Sequence, residues 1–176
     1  MTIDLMTGVE RTRRGSAKRR VLRALLAIAM IVGAIGATAG TASAAQVCSG
    51  AKDANVCLAI NGLGNNTFAI HVGIDAYMSG AEAQEFIDDV GDPFTVWIRG
   101  WDNGRPGEFL FALPTTLLVA SDEFGLGGDF DRAVPGAWLN EDEGPDEVVA
   151  VLTLTDTDTN TVVKTYTSPV LTGDWS

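Results

Sequence analysis

Strict alternation of apolar and polar side chains constrains the fold of this chain more than any other feature. Residues 68–78 read FAIHVGIDAYM, and every second residue from Phe68 onward is apolar. A repeat of two places these apolar side chains on one face of a β-strand. The same alternation recurs over residues 94–98 and 148–154. The pattern predicts strands with one buried face.

Further segments predict an all-β chain with one short helix. Residues 109–113 and 117–120 are apolar at odd and even positions, which predicts strands covered on both faces. Threonine-rich residues 161–167 predict a strand near a sheet edge. Ser79 and Glu82 have capping-box spacing, so a short helix is expected before Gly91. Without βαβ alternation, we predict a single antiparallel β-sandwich, or an open barrel, with one short helical turn.

The N-terminal segment has the pattern of a secretory signal peptide. Seven Lys and Arg residues precede an apolar run of about 16 residues and the small-residue segment 41–45, TASAA. The run is shorter than the roughly 20 residues that a membrane-spanning helix needs. We predict a signal peptide over residues 1–44, with cleavage before Ala45 or, as an alternative, before Gln46. Residues 45–176 are then expected to form one secreted domain with no membrane contact.

Cleavage there would leave a strongly acidic protein. Five Lys and Arg residues would remain against 21 Asp and Glu residues, a net charge near −16 on about 132 residues. Such a surface repels phosphate backbones, so nucleic acid is not an expected partner. It suits cations, basic ligands or simple solubility. Cys48 and Cys57 are predicted to form a disulfide in an oxidising compartment.

Two acidic stretches raise the question of calcium. In TDTDTNTVV, residues 155–163, the spacing starts like an EF-hand loop, but Thr161 and Thr167 stand where Gly and Glu are needed. We predict a hairpin turn there. The loop NEDEGPDE, residues 140–147, is denser in carboxylates, which a hard divalent cation would relieve of their mutual repulsion. We predict calcium there, against a solvated loop, with these possible ligands: Glu141, Asp142, Glu143, Asp146 and Glu147.

The segment 101–110, WDNGRPGEFL, resembles the acidic loop between strands of C2 domains. The resemblance implies that Asp102 and Glu108 contribute to a calcium site. Gly104 and Gly107 stand where that family carries further carboxylates. A β-turn at Asn103 and Gly104 is the alternative interpretation.

A longer resemblance covers most of the predicted mature chain. Its pieces are, in order, Cys48 with Cys57 and Leu58, the tripeptide GWD at 100–102, the acidic segment 139–148 and a terminal TSP strand. This order resembles that of a group of small uncharacterised secreted β-rich proteins of high-GC Gram-positive bacteria. The resemblance implies a secreted β-rich fold and no particular activity.

Aromatic residues suggest another kind of site. If Phe94, Val96 and Ile98 face the core, then Trp97, Arg99 and Trp101 share the opposite face of the strand. The two tryptophans would lie roughly 13 Å apart and could stack on alternate rings of a polysaccharide, or enclose Arg99 between them. We favour the alternative that a loop or second sheet covers this face.

Catalysis has little support in the sequence. His71 and Asp75 share one strand face, but no Gly-x-Ser-x-Gly motif or free cysteine supplies a nucleophile. We predict that His71 is simply exposed. The sequence therefore predicts a secreted, non-catalytic binding or structural module that calcium stabilises, with a polysaccharide-binding module as the first alternative and a small secreted hydrolase as the second.

Overall fold

The alternating segments form β-strands in the computed structural model, which describes residues 44–140 and 144–175. The strands are β1 (Ala44–Cys48), β2 (Ala54–Gly64), β3 (Thr67–Ala76), β4 (Phe94–Asp102), β5 (Arg105–Leu113), β6 (Thr115–Ser121), β7 (Gly125–Pro135), β8 (Asp146–Asp156), β9 (Thr161–Thr167) and β10 (Leu171–Gly173). A helix, α1 (Gly80–Asp88), follows β3, and a 3-10 turn, Gly136–Trp138, follows β7.

The described strands form two antiparallel sheets. The first has the order β1-β2-β3-β7-β6, and the second has the order β10-β8-β4-β5 with β9 also paired to β8. Both β9 and β10 pair with the side of β8 that faces away from β4, so they form one interrupted edge. This arrangement confirms the predicted all-β sandwich with one short helix.

One buried cluster joins the inner faces of both sheets. The alternating residues predicted to face inward do so: Ile70, Val72 and Ile74 in β3 are buried, as are the inward residues of β4. Phe94 of the second sheet meets Phe130 of the first edge to face, with ring centroids 5.7 Å apart. Burial of this apolar area is the main favourable contribution to folding.

Local sequence signals explain the turns and the helix start. The side chain of Ser79 accepts a hydrogen bond from the backbone N–H of Glu82 and so caps α1 as predicted. Asn103 and Gly104 both have positive φ, which is the geometry of a tight hairpin turn between β4 and β5. The TDTDTN segment likewise connects β8 and β9, where Asp156 Oδ1 accepts from the Thr159 N–H at 3.0 Å. The predicted hairpin is confirmed.

The predicted burial of β5 and β6 is wrong. Both segments are strands, but each is the last strand of its sheet. Phe109 of β5 is 53% exposed, and Leu117 of β6 is 50% exposed. Phe111 and Leu113 of β5 are buried whereas Phe109 is not, so only one face of β5 is covered, and apolar residues at both parities did not indicate a strand covered on both faces.

The predicted disulfide is confirmed. Cys48 and Cys57 are direct cross-strand neighbours in β1 and β2 and are bonded to each other. Residues 1–43 lie outside the described part, and so does most of the predicted signal peptide. Within the described part, no helix is both long and apolar enough to cross a membrane.

Candidate functional site

The outer face of β4 carries an exposed aromatic pair. Trp97 alternates with buried Val96 and Ile98, and its side chain is 39% exposed. Phe109 reaches the same face from β5, and its ring lies 6.1 Å from that of Trp97 at an angle of 86°. The prediction that a loop or second sheet buries Trp97 is therefore wrong. The two rings instead form a surface that an apolar ligand face can contact.

The other two residues predicted for this face differ from Trp97. Arg99 donates from Nε and Nη2 to the backbone carbonyl of Gly107, at 2.9 and 2.5 Å. Its guanidinium is thus engaged by the backbone of β5 rather than enclosed between tryptophans. Trp101 is half-buried, beyond an irregularity in the β4–β5 register. The aromatic partner of Trp97 is Phe109, which the sequence analysis did not propose as a site residue.

A second aromatic group lies along the edge of β5 that does not pair with β4. Trp138, in the 3-10 turn, is 44% exposed and contacts the buried Phe111 with ring centroids 5.8 Å apart. The Arg132 guanidinium lies over the Trp138 ring, 5.0 Å from its centroid. Neither Trp138 nor Arg132 was a predicted site residue. They are distant from β5 in sequence and belong to the part of the chain around β7, which lies in the other sheet, so only the contact between the two sheets brings them to β5.

The residues predicted to bind calcium are only partly described. Glu141, Asp142 and Glu143 lie outside the described residues. Asp146 begins β8 opposite Gly173 and is buried, whereas Glu147 is exposed. Across residues 44–140 and 144–175, no three His, Cys, Asp or Glu side chains are grouped so that they could hold a metal ion. The acidic loop therefore stays a prediction.

At the β4–β5 hairpin, steric crowding limits how far this chain can match the calcium loop of C2 domains. Asp102 ends β4 and Glu108 lies in β5. A side chain on Gly107 would place its Cβ 1.9 Å from Asp102 Oδ2. A carboxylate at position 107, as a C2-type site would need, therefore requires Asp102 to move.

The TDTDTN turn lies against α1 and forms an acidic cleft of about 300 Å³. Its lining residues are Glu82, Glu85, Phe86, Asp89, Asp156, Asp158 and Thr159. Partial burial and the nearby charges of Asp158 and Asp156 raise the pKa of Asp89 above its ordinary value. The Thr159 backbone N–H lowers the pKa of Asp156. The cleft thus concentrates negative charge, without a set of ligands grouped for a metal.

His71 is partnered by a residue other than the one considered from sequence. Its Nδ1 lies 2.8 Å from Asp131 Oδ1 on the neighbouring strand β7, and Thr116 Oγ1 donates to Asp131 Oδ2 at 2.7 Å. In a nucleophile–base pair, the hydroxyl would contact the histidine. Here the aspartate lies between the hydroxyl and the imidazole, so this group is not arranged for nucleophilic catalysis.

Asp75 and Asp129 form a pair of neighbouring carboxylates, the kind of group that many hydrolases use. Burial and the charge of Asp129 raise the pKa of Asp75. The cavity beside this pair measures about 130 Å³. Small-molecule sites occupy about 300 to 1,000 Å³. The cavity beside Asp75 and Asp129 is therefore smaller than a typical small-molecule site.

No protein-family model matches the chain, and comparisons with characterised proteins and with solved structures found no significant similarity.

Proposed function

We propose that the protein is a non-catalytic binding module that acts outside the cell, and that its ligand is a polysaccharide. The polysaccharide would lie over the outer face of β4 and β5, with its sugar rings against Trp97 and Phe109. The signal-like N-terminal pattern and the Cys48–Cys57 disulfide support an extracellular location.

The exposed pair of rings carries this proposal. Trp97 and Phe109 are exposed by 39% and 53%, and neither is part of the buried cluster between the sheets. Adjacent exposed apolar side chains on a folded surface mark binding sites more often than isolated ones do. An aromatic ring offers a rigid flat surface for the apolar face of a pyranose, at little cost in side-chain entropy.

Charge and cavity size favour this function over the other classes. The predicted mature chain has about four times as many acidic as basic residues, which disfavours polyphosphates such as nucleic acids. Asp131 lies between the Thr116 hydroxyl and the His71 imidazole, and the cavity beside Asp75 and Asp129 measures only about 130 Å³, which disfavours a hydrolase. Calcium binding at Glu141–Glu147 remains a separate prediction with its own test.

Affinity electrophoresis of residues 45–176 tests the proposal. We expect gels containing soluble xylan, glucomannan or methyl-esterified galacturonan to retard the protein with at least one of these polymers. Trp97→Ala and Phe109→Ala should each abolish the retardation. Phe124→Ala is the matched control, because Phe124 is an aromatic residue of similar exposure, 47%, between β6 and β7. Retardation by none of the polymers would refute the proposed ligand class.

A further inference from the structure

A groove runs along the outer edge of β5. It is open to solvent, measures about 530 Å³ and is lined by Glu108, Phe109, Leu110, Phe111, Ala112, Arg132 and Trp138. Successive residues of a strand point to opposite faces of a sheet, so a cavity that five consecutive strand residues line must follow the strand's edge. Among the described strands, none pairs with β5 on that side. The volume falls within the range of small-ligand sites.

This edge is poorly suited to adding a peptide strand. The β4–β5 register shifts between Ile98 and Arg99 and again before Trp101, and Leu110 has no pairing partner on β4. Arg132 Nη1 already donates to the edge carbonyl of Ala112 at 2.8 Å. Bulges and charged side chains are features by which proteins prevent strand addition at an edge. The groove therefore fits a ligand that binds without extending the sheet.

Arg132 gives the groove a fixed positive charge. The Trp138 ring and the Ala112 carbonyl hold the guanidinium in place, and it lines the cavity. No carboxylate of the described residues forms a salt bridge with Arg132, although acidic residues greatly outnumber basic residues in the predicted mature chain. A guanidinium is a planar fork of N–H donors that matches a carboxylate. Arg132 thus has donors to offer an anionic group.

We propose that the groove binds a glycan unit that carries a carboxylate, such as a hexuronate. Arg132 would pair with that carboxylate, and Trp138 and Phe109 would contact the apolar face of the sugar. This inference rests on the proposed function, because Phe109 belongs both to the groove and to the pair with Trp97. Glu108 lies four residues from Ala112, roughly 13 Å along the strand, where it can accept hydrogen bonds from hydroxyl groups instead.

Calorimetric titration with two matched probes tests the groove. The probes are a galacturonic acid hexamer and its methyl ester, which differ in charge but not in the sugar ring. We expect the wild-type protein to bind the acid about tenfold more tightly than the ester at roughly 0.15 M salt, which screens long-range repulsion from the acidic surface but leaves the direct hydrogen bonds to the charged group. Arg132→Gln should reduce that ratio to about one, and an unchanged circular dichroism spectrum and melting temperature would show that the variant is folded. Arg105→Gln, at an exposed arginine outside the groove, should keep the wild-type ratio.

The outcomes separate this inference from the proposed function. If wild-type protein binds acid and ester equally, or if Arg132→Gln keeps the preference, the groove assignment is overturned. Should Trp97→Ala still weaken both probes in that case, the proposed polysaccharide surface stands. If neither hexamer binds and no polysaccharide retards the protein, both proposals fail. Competition by an extended peptide rather than by sugars would also overturn the assignment.

Discussion

At the scale of single residues, Ser168 maintains hydrogen bonding where the edge next to β8 is interrupted. β9 ends at Thr167, and Pro169 precedes β10. Buried Ser168 accepts a hydrogen bond from the Ala150 N–H through its side-chain oxygen at 3.0 Å, and its own N–H donates to the Ala150 carbonyl at 2.9 Å. The side chain therefore replaces a backbone acceptor in the sheet.

Replacing Ser168 by alanine should destabilise the fold. The buried N–H of Ala150 would lose its acceptor, and we expect the free energy of unfolding to fall by about 1–3 kcal/mol. Urea unfolding followed by tryptophan fluorescence measures the change. Thr172→Ala, at an exposed residue of β10, is the control and should change stability by no more than about 0.5 kcal/mol. Equal effects of both substitutions would argue against the bridging role.

Gly127 and Gly128 illustrate why β7 could not be predicted from its own sequence. β7 was not predicted as a strand, because its segment GLGGDFDRAVP shows little alternation. A side chain on Gly127 would lie 2.7 Å from Val119 Cγ2, and one on Gly128 would lie 2.9 Å from the Phe130 ring. The space at these positions is filled by neighbours in the fold. No local pattern could have shown that requirement.

At the scale of elements, β1 is held to the sandwich on one side only. It pairs with β2 at the end of its sheet, and the disulfide joins the two strands at their Cys48–Cys57 pair. Residues 45–48 of this strand are exposed or half-buried. Cross-linking limits the entropy of the unfolded chain and keeps this edge strand in place.

Removing the disulfide should loosen β1 before the rest of the fold. We expect the pair Cys48→Ser and Cys57→Ser to lower the free energy of unfolding by up to ~3 kcal/mol. Hydrogen exchange should show faster exchange at Val47 in β1, with the buried Val72 of β3 changed only by the loss of global stability. Equal acceleration at both sites relative to global stability would contradict this account of β1.

Strand identity was easier to predict from sequence than strand environment. β3 and β4 were predicted with their buried faces, since each has the other sheet on one side and solvent on the other. β5 and β6 were predicted as strands but assigned the wrong burial, because apolar residues at both parities give no information about position in a sheet. The face of β5 on which Phe109 lies decides whether its ring is buried or exposed.

At the scale of the whole molecule, negative charge is the dominant electrostatic feature. Partial burial and the negative charges of neighbouring carboxylates in the α1 cleft raise the pKa of Asp89. The acidic loop at Glu141–Glu147 adds to this charge in the sequence. Calcium is predicted there because it would offset repulsion between neighbouring carboxylates.

Thermal unfolding tests the calcium prediction. We expect millimolar calcium, but not magnesium, to raise the melting temperature of residues 45–176 by several degrees relative to EDTA. Saturation at about 100 times the dissociation constant adds about 2.7 kcal/mol. Asp142→Asn should remove the shift, and Asp158→Asn, in the α1 cleft, should keep it. The same melting temperature in EDTA and calcium would leave the loop as a solvated turn.

The candidate site was only partly predictable, because it is assembled from distant segments. Alternation in β4 identified Trp97 as an outward-facing residue. Phe109, Arg132 and Trp138 join it only through the β4–β5 pairing and the contact of β7 with the edge of β5. Sequence spacing within one strand cannot show such contacts.

Nuclear magnetic resonance of the four tryptophan indole N–H groups tests the central claim most directly. During titration with the methyl ester of the galacturonic acid hexamer, we predict that the Trp97 resonance shifts in proportion to binding. The indole of Trp175, which is 1% exposed and packed against Phe68, should not move. A Trp97 resonance that stays unchanged while the hexamer binds elsewhere, or with no binding at all, would contradict a polysaccharide surface on β4 and β5.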